Sequence, residues 1–139
     1  MGSIPTGIGV PPGTVVTAST ANDTDPATNV IDGDIVDEWN AGTVSGWITL
    51  TFPAPTMIAA VRIHADALPV TNEMFTLSTS TSTVPLASFS AEVMTVPGTF
   101  LPEVRIPPAL YSDLTIMVNA GASWVGVNEI WVLPASTCP

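Results

Sequence analysis

The chain has 139 residues, enough for about one domain with a single buried core. Twelve acidic residues face two arginines and no lysine, giving a net charge of −10. Hydrophobic residues make up 46% and charged ones only 10%, against a typical charged share of roughly 25%. This balance excludes nucleic acid and anionic membrane surfaces as partners, since both require clustered lysine and arginine. No apolar stretch approaches the ~20 residues of a spanning helix, which excludes membrane insertion by that route.

Residues 1–13, MGSIPTGIGVPPG, lack the basic start and unbroken apolar core of a signal peptide and read as an extension. Without a visible signal, the chain is not secreted by that route, has lost a leader, or leaves its cell inside an assembly. Next comes NDTDPATNVIDGDIVDE, from Asn22 to Glu38, which holds half of the acidic residues. Carboxylates crowded without basic partners repel one another. Spreading into solvent relieves the repulsion, and so does an oxygen-ligated hard cation such as Ca²⁺. The Asn-x-Thr triplet at Asn22 matches a glycosylation sequon, which carries little weight without a signal peptide.

From there the pattern is β to the end. Ile48, Leu50 and Phe52 alternate with Thr49 and Thr51; Val61 and Ile63 alternate with Arg62 and His64. Phe75 and Leu77 form the next apolar face, Leu114, Ile116 and Val118 another, and a last strand runs from about Gly126 to Leu133. Proline-bearing stretches, FPAPT and RIPPAL, read as turns. The Ser/Thr tract from Thr76 to Pro85 reads as a strand end and an exposed hairpin tip. Strands of this length and spacing predict an all-β fold, two packed antiparallel sheets or a barrel, over residues 14–133, with a tail at 134–139. Cys138 is the only cysteine, so there is no intrachain disulfide framework; it is a free thiol or an intermolecular bridge.

Two blocks, NVIDGDIVDEWNAG…GWITLTFPAPTMIAAVRIH and LTIMVNAGASWVGVNEIWVL, resemble the discoidin, or coagulation factor 5/8 type C, domain family. This is a group of galactose-binding-like antiparallel jelly-roll β-sandwiches that includes bacterial carbohydrate-binding modules. Ile31, Asp32, Gly33, Asp34 and Trp39 follow the family's early block. Trp47 opens the next strand, Val61-Arg62-Ile63 follows, and Glu129-Ile130 fills the closing pair. Val30 stands where alanine is usual and Asp37 where threonine is, and residues 71–102 match nothing beyond strand-like texture. The resemblance implies a structural calcium site built from Asp32, Asp34, Asp37 and Glu129, which would tie the early loop to the last strand. It implies that Trp39 and Trp47 pack beneath that loop. Ligand recognition would then fall to loops at one end, where Trp124, Arg62 and His64 are the candidate contacts.

With a single histidine and no nucleophile elbow, zinc motif or phosphate loop, the chain reads as a non-enzyme. Two functions follow. One is a glycan-binding or adhesion module, extracellular or on a virion surface. The other is a structural accessory protein of a bacteriophage virion, whose low charge suits protein neighbours in an oligomer.

Overall fold

The computed structural model describes residues 9–22, 24–34, 36–67, 70–94, 99–101, 103–121 and 124–134; Asp23 of the acidic stretch and Cys138 lie outside these. Eight strands follow one another: β1 (Val15–Ala18), β2 (Trp39–Asn40), β3 (Ser45–Asp66), β4 (Thr71–Ser78), β5 (Ala87–Val93), β6 (Thr99–Phe100), β7 (Val104–Asn119) and β8 (Gly126–Leu133). A 3₁₀ turn, Ala27–Ile31, lies between β1 and β2. All pairings are antiparallel, in the order β2-β8-β3-β7-β4-β5, with β1 and β6 also bonded to β3.

Two long strands make this one hydrogen-bonded system into two layers. The first half of β3 pairs with β1 and with the second half of β7, which in turn pairs with β4. The second half of β3 pairs with β8 from Ala60 to Asp66. The β3–β7 register breaks between Thr51 and Thr56 and again between Ile58 and Ala60. At the first break β3 carries Pro53 and Pro55, and at the second β7 carries Pro107 and Pro108. Both stretches were expected to be turns. They lie instead inside continuous strands, because a proline lacking its N–H is tolerated where the ladder is already interrupted.

The alternation seen in the sequence sets the core. Ile48, Leu50, Ile63, Phe75, Leu77, Leu114, Ile116, Val118, Val127 and Ile130 are all buried and face one another between the layers. Residues 79–86 form the hairpin tip expected of the Ser/Thr tract. Gly9 and Val10, within the extension read from sequence, pack on β8. Val132 N–H donates to Gly9 O (2.8 Å), and a Cβ at Gly9 would collide with the Trp131 ring.

Trp39 anchors the N-terminal segment. It is fully buried, and its indole N–H donates to Thr20 O at 2.8 Å. Trp39→Ala would leave both a cavity and an unpaired carbonyl, and should cost about 3–5 kcal/mol in chemical denaturation.

Candidate functional site

The acidic loop begins where Pro26, in extended conformation, opens the 3₁₀ turn. Val30 is fully buried and pins that turn to the core. Gly33 follows at φ 84°, a left-handed conformation that a side chain would strain. Beyond it, Asp32 Oδ1 accepts from Asp34 N–H and Asp34 Oδ1 from Val36 N–H, both at 2.8 Å, two successive Asx turns.

This loop lies over β8. Gly33 N–H donates to both Glu129 oxygens (3.3 and 3.2 Å), across 96 residues of sequence, and Asn128 Nδ2 donates to Asp37 O at 3.3 Å. Consecutive residues of a regular strand point to opposite faces. Here the β3–β8 register slips between His64 and Ala65, whose partners are Glu129 and Val127, so Asn128 is an extra, bulged residue. The bulge lets both neighbours reach the same loop. Glu129 is fully buried. Burial first, and the nearby charge of Asp32 second, push its carboxyl up to about 8, although Gly33 N–H pulls the other way. Asp32 is raised too, by partial burial and by Asp37 and Asp34, against the opposing N–H of Asp34.

Of the four residues expected around calcium, Asp32 and Glu129 are thus brought together. The Asp34 side chain turns to Val36 N–H, and Asp37 is exposed, offering its main-chain carbonyl to Asn128. Among the described residues no three acidic or imidazole side chains are gathered to hold a metal ion. The donor set therefore suits a cation in part. Glu129 is a buried carboxyl facing an acidic loop, to which that loop gives the Gly33 N–H, while two side chains fall short of a 6–8 oxygen shell unless main-chain carbonyls and water complete it.

Arg62 and His64 lie on the face of β3 turned away from the core, opposite Trp131 and Glu129 of β8. Arg62 Nε is 3.5 Å from Glu103 Oε1, and the His64 ring sits 5.0 Å from the Trp131 ring, tilted by 59°. His64 is buried, and β3 runs past both residues to Asp66. Neither is among the described residues that border the pocket beside Trp124.

Trp124 is 55% exposed and borders an open pocket of about 310 Å³ with Asn22, Asn40 and Gly42. Asn40 Oδ1 accepts from Gly42 N–H at 2.8 Å, which leaves its amide N–H groups as donors. Gly42, at φ 72°, is required twice over, because a Cβ there would lie 2.6 Å from Asn22 Oδ1. In the sequence Asn22 is marked only by the sequon it opens, and Asn40 by nothing. Each is brought to Trp124 by long-range pairing, Asn40 against Gly126 and Asn22 N–H to Asn40 O at 2.8 Å.

A second acidic group also escaped sequence reading. Gly126 has no room for a Cβ because Glu38 Oε2 and Asp66 Oδ1 close over it. Burial, then a hydrogen bond and charge from Asp66, push Glu38 up to about 8. Glu73 is an inward-facing carboxyl, fully buried with neither oxygen bonded; burial and the charge of Asp66 push it up to about 8 as well.

Similarity to known proteins lies in the fold. No family model and no curated protein sequence matches the chain. A pectin-binding carbohydrate-binding module superimposes with TM-score 0.69 at 20% identity, covering 90% of this chain and 93% of its own. The fold is that of a discoidin-like carbohydrate-binding module. Two family 32 modules agree with TM-score 0.68. That of AlyQ, in complex with 4,5-unsaturated mannuronic acid, is 17% identical over 87% of this chain and 95% of its own. That of C. perfringens NanJ, in complex with galactose, is 15% identical over 86% and 92%. The same module fold occurs within a larger chain, a Ruminococcus gnavus GH29 fucosidase, of which this chain covers 26%.

Glu73 gives the module fold a measurable pH dependence. Its ordinary value is 4.5 and its folded value about 8. Between these the unfolded chain releases a proton that the folded chain keeps, so stability is fully present below 4.5 and falls as pH rises toward 8. Glu73 alone contributes a slope of at most about 1.4 kcal/mol per pH unit in that window. Melting temperatures at pH 5 and pH 8 should therefore differ, and Glu73→Gln, which carries no proton to lose, should narrow the gap by raising the value at pH 8.

Proposed function

We propose that this chain is a non-catalytic glycan-binding module that seats an uncharged sugar ring on Trp124 between the side-chain amides of Asn22 and Asn40. The observation that carries the reading is the Trp124 pocket. An exposed indole face meets the C–H face of a sugar, and two amides supply donors and acceptors for its hydroxyls. A volume of about 310 Å³ is at the small end for ligand pockets, consistent with one or two rings. Solved neighbours of this fold include modules holding galactose and an unsaturated mannuronic acid. The pocket favours the uncharged kind. No lysine exists in the chain, none of the described residues lining the pocket is charged, and a net charge of −10 repels polyanions.

Affinity for a single ring should be nearer 1 mM than 1 μM, since a shallow site stacks one ring and makes few hydrogen bonds. Several copies displayed together would raise the effective affinity by ~10²–10⁴. Titration calorimetry with neutral monosaccharides and with the corresponding uronic acids checks the reading. The neutral sugars should bind and the uronates should not, and Trp124→Ala should abolish binding with the melting temperature unchanged.

Structural calcium is the second part of the proposal. Asp32 and Glu129 would hold it by side-chain oxygens, with Asp34, Asp37 and main-chain carbonyls of the loop completing the shell. The cation would supply positive charge to a buried carboxyl that burial and Asp32 otherwise hold protonated. If it binds only the folded chain, a hundredfold excess over Kd adds about 2.7 kcal/mol. Adding chelator should lower the melting temperature, and Glu129→Gln should remove that response.

A further inference from the structure

Trp47 lies where the sequence resemblance implies a packed residue, yet it is 38% exposed. It sits on the outer face of β3, directly opposite Met117 of β7, which is 53% exposed. Together with Ser19, Ser45 and Gly46 these two side chains border a depression of about 250 Å³.

This depression adjoins the Trp124 pocket. One chain segment gives Ser19 to the first and Asn22 to the second; another gives Ser45 to the first and Gly42 to the second. In each segment the two residues are three positions apart, so the separation is at most about 10 Å. The segments run side by side: Ser19 N–H donates to Trp47 O (2.9 Å), Thr20 Oγ1 to Ala41 O (2.7 Å) and Asn22 N–H to Asn40 O (2.8 Å). Between the two hollows lie Thr20, Ala21, Thr43 and Val44, all exposed and all uncharged. Among these described residues a ligand crossing from one indole to the other meets hydroxyls, methyl groups and backbone.

We propose that the Trp47 depression is a second saccharide subsite, so that the chain recognises an uncharged oligosaccharide laid across this ridge, one ring on Trp124 and another on Trp47. The inference rests on the Trp124 reading and deepens it from a single ring to a short chain. Three features argue for a saccharide as the occupant. An aromatic face and serine hydroxyls are the groups that meet sugar C–H and O–H faces. The strip is continuous with the first pocket. Neither hollow has a cation for an acidic chain: Arg62 is held by Glu103, and Arg105 lies opposite Ala60 in the other half of β3. The Ser19 hydroxyl oxygen already accepts from Trp47 N–H (3.0 Å), which leaves its O–H to donate outward.

The test is calorimetric titration with neutral gluco-, galacto- and N-acetylglucosamine oligosaccharides, from mono- to hexasaccharide. With the right sugar, affinity should rise on the order of tenfold between the monosaccharide and the trisaccharide, as one further stacked ring is engaged. Trp47→Ala should erase that rise and leave monosaccharide affinity unchanged. Met117→Arg, which fills the depression from an exposed position without removing an indole, should do the same and guards against a folding defect in the first variant. A length dependence that survives both substitutions, or wild-type affinity that is flat with length, overturns the second subsite while leaving the Trp124 pocket intact. Absence of binding to every sugar by the wild type overturns the Trp124 reading and this inference with it.

Discussion

The bulge at Asn128 and Glu129 is the constraint on which the rest of the site depends. One extra residue in β8 turns two neighbouring side chains toward the same loop, and between them they hold its backbone at Gly33 and Asp37. That grip fixes the path from Pro26 to Trp39, and Trp39 in turn pairs with Val127 and bonds Thr20. The segment carrying Asn22 and the strand carrying Asn40 are both positioned by this chain of contacts. The pocket beside Trp124 is therefore a consequence of how an acidic loop is fastened to the last strand, some ninety residues away.

The fastening is made largely from acids. Glu129 under the loop, and Glu38 and Glu73, both subject to the charge of Asp66, lie in surroundings that favour their protonated forms. A protein with two arginines cannot neutralise such groups by ion pairs, since one arginine is already engaged by Glu103. Protons or a bound cation are the remaining means of relieving buried negative charge. The two acidic groups differ in what they offer. The loop above Glu129 holds turns built from Asp32 and Asp34 and gives the Asp37 carbonyl to Asn128. The group at Gly126 consists of carboxyls closing over a glycine, with a third carboxyl buried in the core and bonded to nothing.

The surface around the two exposed indoles follows the opposite rule. Where the edges of the two layers meet, the exposed side chains are serine, threonine, asparagine, alanine and valine, flanked by two tryptophans. Among the described residues, negative charge is concentrated in the loop and at Gly126, and the residues between the indoles carry none. In the proposed function such a surface would distinguish ligands by shape and hydroxyl pattern, with electrostatics acting to keep anionic ligands away.

Much of the fold was legible in the sequence, because alternation is a local property. Ile48, Leu50, Phe75, Leu77, Leu114, Ile116 and Val118 declare their strands and their inward faces within a few residues, and β8 is marked at both ends. The meeting of the early loop with Glu129 was implied by the ordered blocks that resemble discoidin domains. Other features depended on register between distant strands. Prolines that locally signal turns became bends inside β3 and β7, since only the paired strand shows where the ladder is already broken. Asn128 looked like any strand residue until the bulge re-aimed it. Asn22 and Asn40 became partners of Trp124 through pairing across the sheet edge. Arg62 and His64, adjacent on one face as their spacing requires, meet Glu103 and Trp131 respectively. Trp47 was left exposed because its inward neighbours, not its own size, decide which face of β3 meets the core. Periodicity along a chain thus determined which residues are buried. Which of the remaining residues meet was decided by the tertiary register, since contacts between distant strands are set by the whole sheet and not by any single stretch of it.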